Sequence, residues 1–140
     1  MATLINTLWE GVRYRGGIGN WAYLFHRLAG IATLLFLAIH IVDTATVFFF
    51  PSLYQHAIEI YRSTPFMLGE IALVAGVLFH GANGLKIIVF DFWPQLWSHE
   101  NEKKAAALVF VVTIILWIPA AIIMGNSLIQ CNFLNACAGG

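Results

Sequence analysis

Leu28-Ala29-Gly30-Ile31-Ala32-Thr33-Leu34-Leu35-Phe36-Leu37-Ala38-Ile39-His40-Ile41-Val42 carries no Asp, Glu, Lys or Arg, and it sits inside an apolar run from Asn20-Trp21 to the stop at Pro51. About 20 apolar residues cross a bilayer as a helix. The run therefore predicts a transmembrane helix over about 21–50, long enough to tilt or to project from the membrane. Two further runs repeat the pattern. One spans about 65–91, with Pro65 in its first turn and Asp91-Phe92-Trp93-Pro94 closing it. The other spans about 105–129, apolar apart from Thr113, with Pro119 predicting a kink. The fold class expected is all-α integral membrane: three transmembrane helices in one membrane-anchor domain over 1–140.

Composition points the same way. Of 140 residues, 60% are hydrophobic and only 10% charged, far from the balance of a soluble domain. Seven basic and seven acidic residues cancel, which excludes nucleic acid as a partner and leaves the lipid bilayer. The first apolar run starts too late and is too long for a secretory h-region. Between the spans, Leu4 to Glu10 predicts an interfacial helical turn or two. Arg13 to Gly19 predicts a basic, glycine-rich loop, Pro51 to Pro65 a polar connection holding one amphipathic surface helix, and Ser98 to Lys104 a charged loop. Trp93 and Trp97 suit an interfacial aromatic belt.

Basic residues set the orientation. Three passes put Arg13, Arg15, Arg27, Lys86, Lys103 and Lys104 on one side and Arg62 alone on the other. The positive-inside rule makes the first side, with the N-terminus, cytoplasmic and the C-terminus external, in a cell inner (plasma) membrane. Cys131 and Cys137 then face an oxidising space, where they either pair or remain as tail thiols.

Ionisable groups inside spans are costly and mark functional or interhelical contacts. His80 lies in Gly76-Val77-Leu78-Phe79-His80-Gly81-Ala82-Asn83-Gly84-Leu85-Lys86, where residues 76, 80 and 84 share one helical face. Two glycines beside an imidazole predict a face cleared for a flat apolar ring, and neutral imidazole is a natural axial ligand of b-type haem. The rival account gives the glycines to helix packing and His80 to an interhelical hydrogen bond. His26 and His40 are 14 residues apart on one span, hence about 21 Å along the axis, too far to ligate one haem together. His26-Arg27 suits haem propionates or a quinone carbonyl, or else a helix end with a snorkelling arginine. His40 is followed by Asp43 and Thr44, which would orient its ring if they face inward. With Arg27 and Asp91 taken as level, His40 lies deeper than His80. Lys86 and Asp91 read as a helix-end base and its acidic cap. Glu70 is either a surface carboxylate or the entrance of a proton path, and His56 and His99 are solvated loop residues.

With these residues placed, residues 13–127 resemble the cytochrome b membrane-anchor subunit of succinate dehydrogenases, the succinate:quinone oxidoreductases. The resemblance rests on His26-Arg27-Leu28-Ala29-Gly30 and on His80-Gly81-Ala82-Asn83-Gly84-Leu85-Lys86 followed by Asp91. The family usually has arginine at the position of Lys86 and histidine or an aromatic at that of Ile87. In its single-haem ubiquinone branch, a serine that takes part in quinone binding stands where this chain has Tyr23. Tyr14-Arg15-Gly16, His40-Ile41-Val42-Asp43-Thr44-Ala45 and Phe79 to Gly84 look like the two-haem, menaquinone-reducing branch.

That resemblance implies His80 and His40 as axial ligands of two separate haems b, proximal and distal. It implies Tyr23, His26, Arg27, Lys86, Asp91 and Trp93 at haem propionates or quinone, with menaquinone as the expected quinone. One ligand per haem implies a second membrane-anchor subunit that completes both sites and the helical bundle. Succinate oxidation falls to a flavoprotein subunit and an iron–sulfur subunit, because this chain has neither a dinucleotide fingerprint nor a cysteine cluster. A trimer of complexes is compatible with the arrangement. The alternatives are the anchor of a fumarate reductase and a haem-free helical assembly or transport subunit.

Overall fold

The computed structural model describes residues 6, 9, 10, 17–132 and 134, with Asn6, Trp9 and Glu10 helical within the short amino-terminal segment. Helix α1 spans Ile18–Phe49, α2 Pro51–Tyr61, α3 Thr64–Phe92 and α4 His99–Asn132, with a 3-10 turn at Pro94–Leu96 before α4. Three of these helices, α1, α3 and α4, are long and apolar enough to cross a membrane. At 29 to 34 residues each, they measure about 44–51 Å and exceed a hydrocarbon core of about 30 Å. Their ends project or the helices tilt.

Proline punctuates the chain. Pro51 disfavours a helical residue before it, and Phe50 accordingly leaves the helical region (φ −145°, ψ 72°) while its N–H still closes on the Thr46 carbonyl at 2.8 Å. The same logic ends α3 at Trp93, which precedes Pro94. Pro51 and Pro65 stand in the first turns of α2 and α3, where no intrahelical donor is lost. Pro119, by contrast, lies within α4, which continues through it to Asn132.

Two sequence expectations shift. The first helix begins at Ile18, so Gly19 belongs to it and not to a loop; Arg13 to Gly16 lie outside the described residues. The charged stretch 98–104 is the start of α4 and not a connection. Ser98 caps it, accepting the Asn101 N–H at 3.1 Å on its hydroxyl and the Glu102 N–H at 2.8 Å on its carbonyl. Glu100 and Glu102 complement the helix dipole in the first turn, and Glu100 meets Lys104 one turn on at 2.8 Å. His99 is therefore helical and exposed, as is His56 in α2. Of the two readings left open for Cys131 and Cys137, Cys137 lies outside the described residues, and Cys131 is disulfide-bonded.

The long helices pack antiparallel in sequence. Along α3 and α4, Lys86 faces Glu102, Phe79 faces Phe110, and the Ile71 carbonyl accepts the Trp117 indole N–H at 2.9 Å. The core is small and lies towards the Gly19 end: Ala22, Phe79, Ala106 and Val109, with Ala82 and Phe110 against them. Phe25 meets both Phe79 and Phe110 edge-on. The only fully buried larger side chain described is Asn83. Most other apolar side chains point outwards, Ile41, Ile115 and Ile123 among them. Such a surface is stable only under lipid or a partner chain.

At the other end of the bundle, α2 folds back on α1. The Tyr61 hydroxyl donates to the Asp43 carboxylate, and Tyr61 stacks edge-on against Phe66 of α3.

Candidate functional site

Phe25 and Phe79 point at α4 through Phe110. The next residue on each helix is turned by about 100°. His26 and His80 thus come off α1 and α3 onto the seam between those two helices, away from α4. There the two imidazoles stack face to face, with centroids 4.1 Å apart and planes 3° from parallel. The backbone permits this because Gly30 lies under the His80 ring: a Cβ there would come within 2.9 Å of His80 Cε1 and 3.2 Å of Nδ1.

His80 Nδ1 lies 3.1 Å from the His26 carbonyl oxygen. A carbonyl only accepts, so this contact holds the proton on Nδ1 and leaves a lone pair on Nε2. That tautomer, locked by a backbone carbonyl, is the form in which histidine ligates a metal. Face-to-face rings lie side by side and not end to end. The pair therefore cannot clamp one iron between them, and at most one of the two is an axial ligand of a given haem. His26 Nδ1 is buried without a protein partner, a polar atom that the seam leaves open. Among the described residues no group of three or more His, Cys, Asp or Glu side chains is placed to hold a metal ion. The free Nε2 of His80 and the unpartnered Nδ1 of His26 fit a haem bound by a single histidine of this chain.

The glycines act differently from the sequence expectation. Gly76 faces Ala29 of α1, and Gly84 faces His26. Both serve the close α1–α3 approach, and the glycine that makes room for His80 is Gly30, across the seam.

Beside His26 on α1, Arg27 Nη1 donates to Tyr23 Oη at 2.7 Å, and its guanidinium lies 5.5 Å from the Tyr23 ring centre. Both are exposed and adjoin His26 along α1, whereas the contact across the seam is made by His26 and His80. Lys86 turns towards α4 instead, where its ammonium is 4.0 Å from Glu102. Its partner is thus Glu102 and not Asp91. Asp91 and Trp93 are exposed at the end of α3, 11 and 13 residues past His80, about 16–20 Å along the axis. Arg27 is level with the His80–Gly84 turn, so Arg27 and Asp91 do not mark one depth.

His40 is exposed, stacks on Phe36 at 5.4 Å, and lies ten residues beyond Gly30, about 15 Å from the level of His80. Neither neighbour orients its ring. Asp43 is taken by Tyr61, and the Thr44 hydroxyl donates to the His40 backbone carbonyl at 2.6 Å. Glu70 is half-buried near the start of α3.

Residues 11–120 match the family model described as the succinate dehydrogenase/fumarate reductase transmembrane subunit. The chain belongs to this family. Among curated proteins it is similar to the succinate dehydrogenase 2 membrane subunit SdhC of Mycobacterium tuberculosis, with 32% identity over 130 residues, covering 89% of this chain and 94% of that one. It is also similar to the succinate dehydrogenase hydrophobic membrane anchor subunit of Halobacterium salinarum, with 24% identity over 102 residues, covering 72% of this chain and 78% of that protein. As a multi-pass membrane anchor of a succinate dehydrogenase or fumarate reductase, the chain has the three apolar helices that such an anchor needs.

Glu102, Gly19, Asn83 and Tyr61 escaped the sequence reading as functional or positioning residues. Ser98 followed within a turn by the acids Glu100 and Glu102, ahead of an apolar run, is a helix-start signal that places Glu102 on α4. The burial of Asn83 had no such local signal.

Proposed function

We propose that the chain is the haem b-binding anchor of a succinate:quinone oxidoreductase, and that His80 Nε2 is the axial ligand of the proximal haem. The observation that carries this reading is the His80 Nδ1–H contact to the His26 carbonyl, which leaves Nε2 as a lone-pair donor on a half-buried seam. His40, about 15 Å deeper, is the ligand of a second, distal haem. A bound haem would supply one-electron transfer across the low-dielectric layer.

The chain's own groups do the rest. The His26 carbonyl fixes the His80 tautomer. Tyr23, His26 and Arg27 offer hydrogen-bond donors and a positive charge to a propionate or a quinone carbonyl, with menaquinone the quinone expected. Lys86, Asp91 and Trp93 line the end of the bundle beneath. A second membrane subunit packed on the α1–α3 seam would complete both haem sites. Flavoprotein and iron–sulfur subunits dock at the cytoplasmic face, which is the Gly19 end by the positive-inside rule.

The opposite direction of flux, fumarate reduction, uses the same residues. A haem-free anchor is the second reading, favoured by the same His80–His26 contact taken as an interhelical bridge. Spectra of the purified complex separate the two. A reduced b-type α-band, with one haem lost on His80→Ala and one on His40→Ala, is the expected result. No α-band, or loss of neither or both haems from either change, refutes two separate sites.

A further inference from the structure

The N-cap of helix α1 is Gly17, which offers no side-chain cap, and the first turn of the helix carries no acidic residue of its own. The acid comes from another helix. The Glu102 carboxylate lies against that first turn, so close that a Cβ on Gly19 would stand 2.6 Å and 2.9 Å from its two oxygens. The same carboxylate is 4.0 Å from Lys86 of α3, with side-chain exposures of 13% for Lys86 and 28% for Glu102. One carboxylate therefore meets the positive end of the α1 dipole and the positive charge on α3 together.

We infer that Glu102 is the positioning residue of this end of the site: it clamps α1, α3 and α4 together and neutralises Lys86 near the histidine seam. Glycine at 19 lets the carboxylate come this close, since a Cβ there would push it aside. Lys86 is half-buried beside apolar Ala82, Leu85, Val89 and Phe90. Without its partner, its charge acts unscreened in a medium of low dielectric.

The test has two arms on the intact complex, and the second rests on the haem assignment made above. First, hydrogen exchange at amides 18–21 should quicken at least several-fold in both Glu102→Gln and Gly19→Ala, and stay as in the parent in Lys86→Gln. Gly19→Ala is the diagnostic variant, because alanine by itself favours the helix. Unchanged exchange in Glu102→Gln or in Gly19→Ala overturns the clamp. Second, Glu102→Gln should move the proximal haem potential positive and Lys86→Gln should move it negative, with the double variant returning towards the parent. Shifts of the same sign in both single variants overturn the charge-compensation part. If the complex shows no b-type band, the haem assignment falls and the exchange arm alone decides the clamp.

Discussion

Gly30→Ala puts the seam to its most direct test. The added Cβ would lie 2.9 Å from His80 Cε1 and 3.2 Å from Nδ1, so the ring must move by several tenths of an ångström. Overpacking of this kind costs about 1–3 kcal/mol. Losing the 3.1 Å contact to the His26 carbonyl adds about 0.5–1.5 kcal/mol. Against this stands a gain of about 1 kcal/mol from replacing a helical glycine by alanine. The net expectation is destabilisation of about 0.5–3.5 kcal/mol, together with loss of the carbonyl lock on the His80 tautomer. Gly76→Ala and Gly84→Ala are the controls. Their Cβ atoms would meet neighbours at 3.8 Å or more, an ordinary contact, so each should be neutral or stabilising by up to about 1 kcal/mol. The assay is haem per complex by pyridine haemochrome, alongside the thermal midpoint of the detergent-solubilised complex. Gly30→Ala should lower both, while the controls keep both. Full haem and stability in Gly30→Ala, with loss in Gly76→Ala or Gly84→Ala, would refute the arrangement of the seam and restore the idea that the α3 glycines clear the space.

Two further perturbations test the scaffold. Tyr61→Phe removes the donor to the Asp43 carboxylate, a hydrogen bond to a charged group worth about 1.5–3 kcal/mol. Protease cleavage within 51–62 should rise, and a parent-like digestion pattern would show that α2 is held otherwise. Ser98→Ala removes the α4 cap at a cost of about 1 kcal/mol. Amides 99–102 should exchange faster with no change at 110–125, and uniform exchange across α4 would contradict a local capping role.

Some of this protein is written in its local chemistry. Apolar runs of membrane-spanning length determine three helices, because hydrocarbon leaves no other partner for backbone N–H and C=O groups. Pro51 and Pro94 determine where two of those helices stop, through the clash each imposes on the residue before it. His26, His40 and His80 stand out because imidazole in an apolar span is costly, and Ser98 with its acidic first turn announces the true start of α4 even though the charges there suggest a loop.

Only the tertiary structure decided which groups meet. Side-chain periodicity orders residues around one helix but leaves free the rotation and axial offset between two. Gly30 makes room for His80 while Gly76 and Gly84 pack against α1. Lys86 belongs to Glu102, Asp43 to Tyr61, and the ring of His26 lies flat on that of His80. Each pairing joins residues at least 16 positions apart, and each depends on helix register, which is set by the fit of a few small residues and aromatics between the helices and not by any one segment.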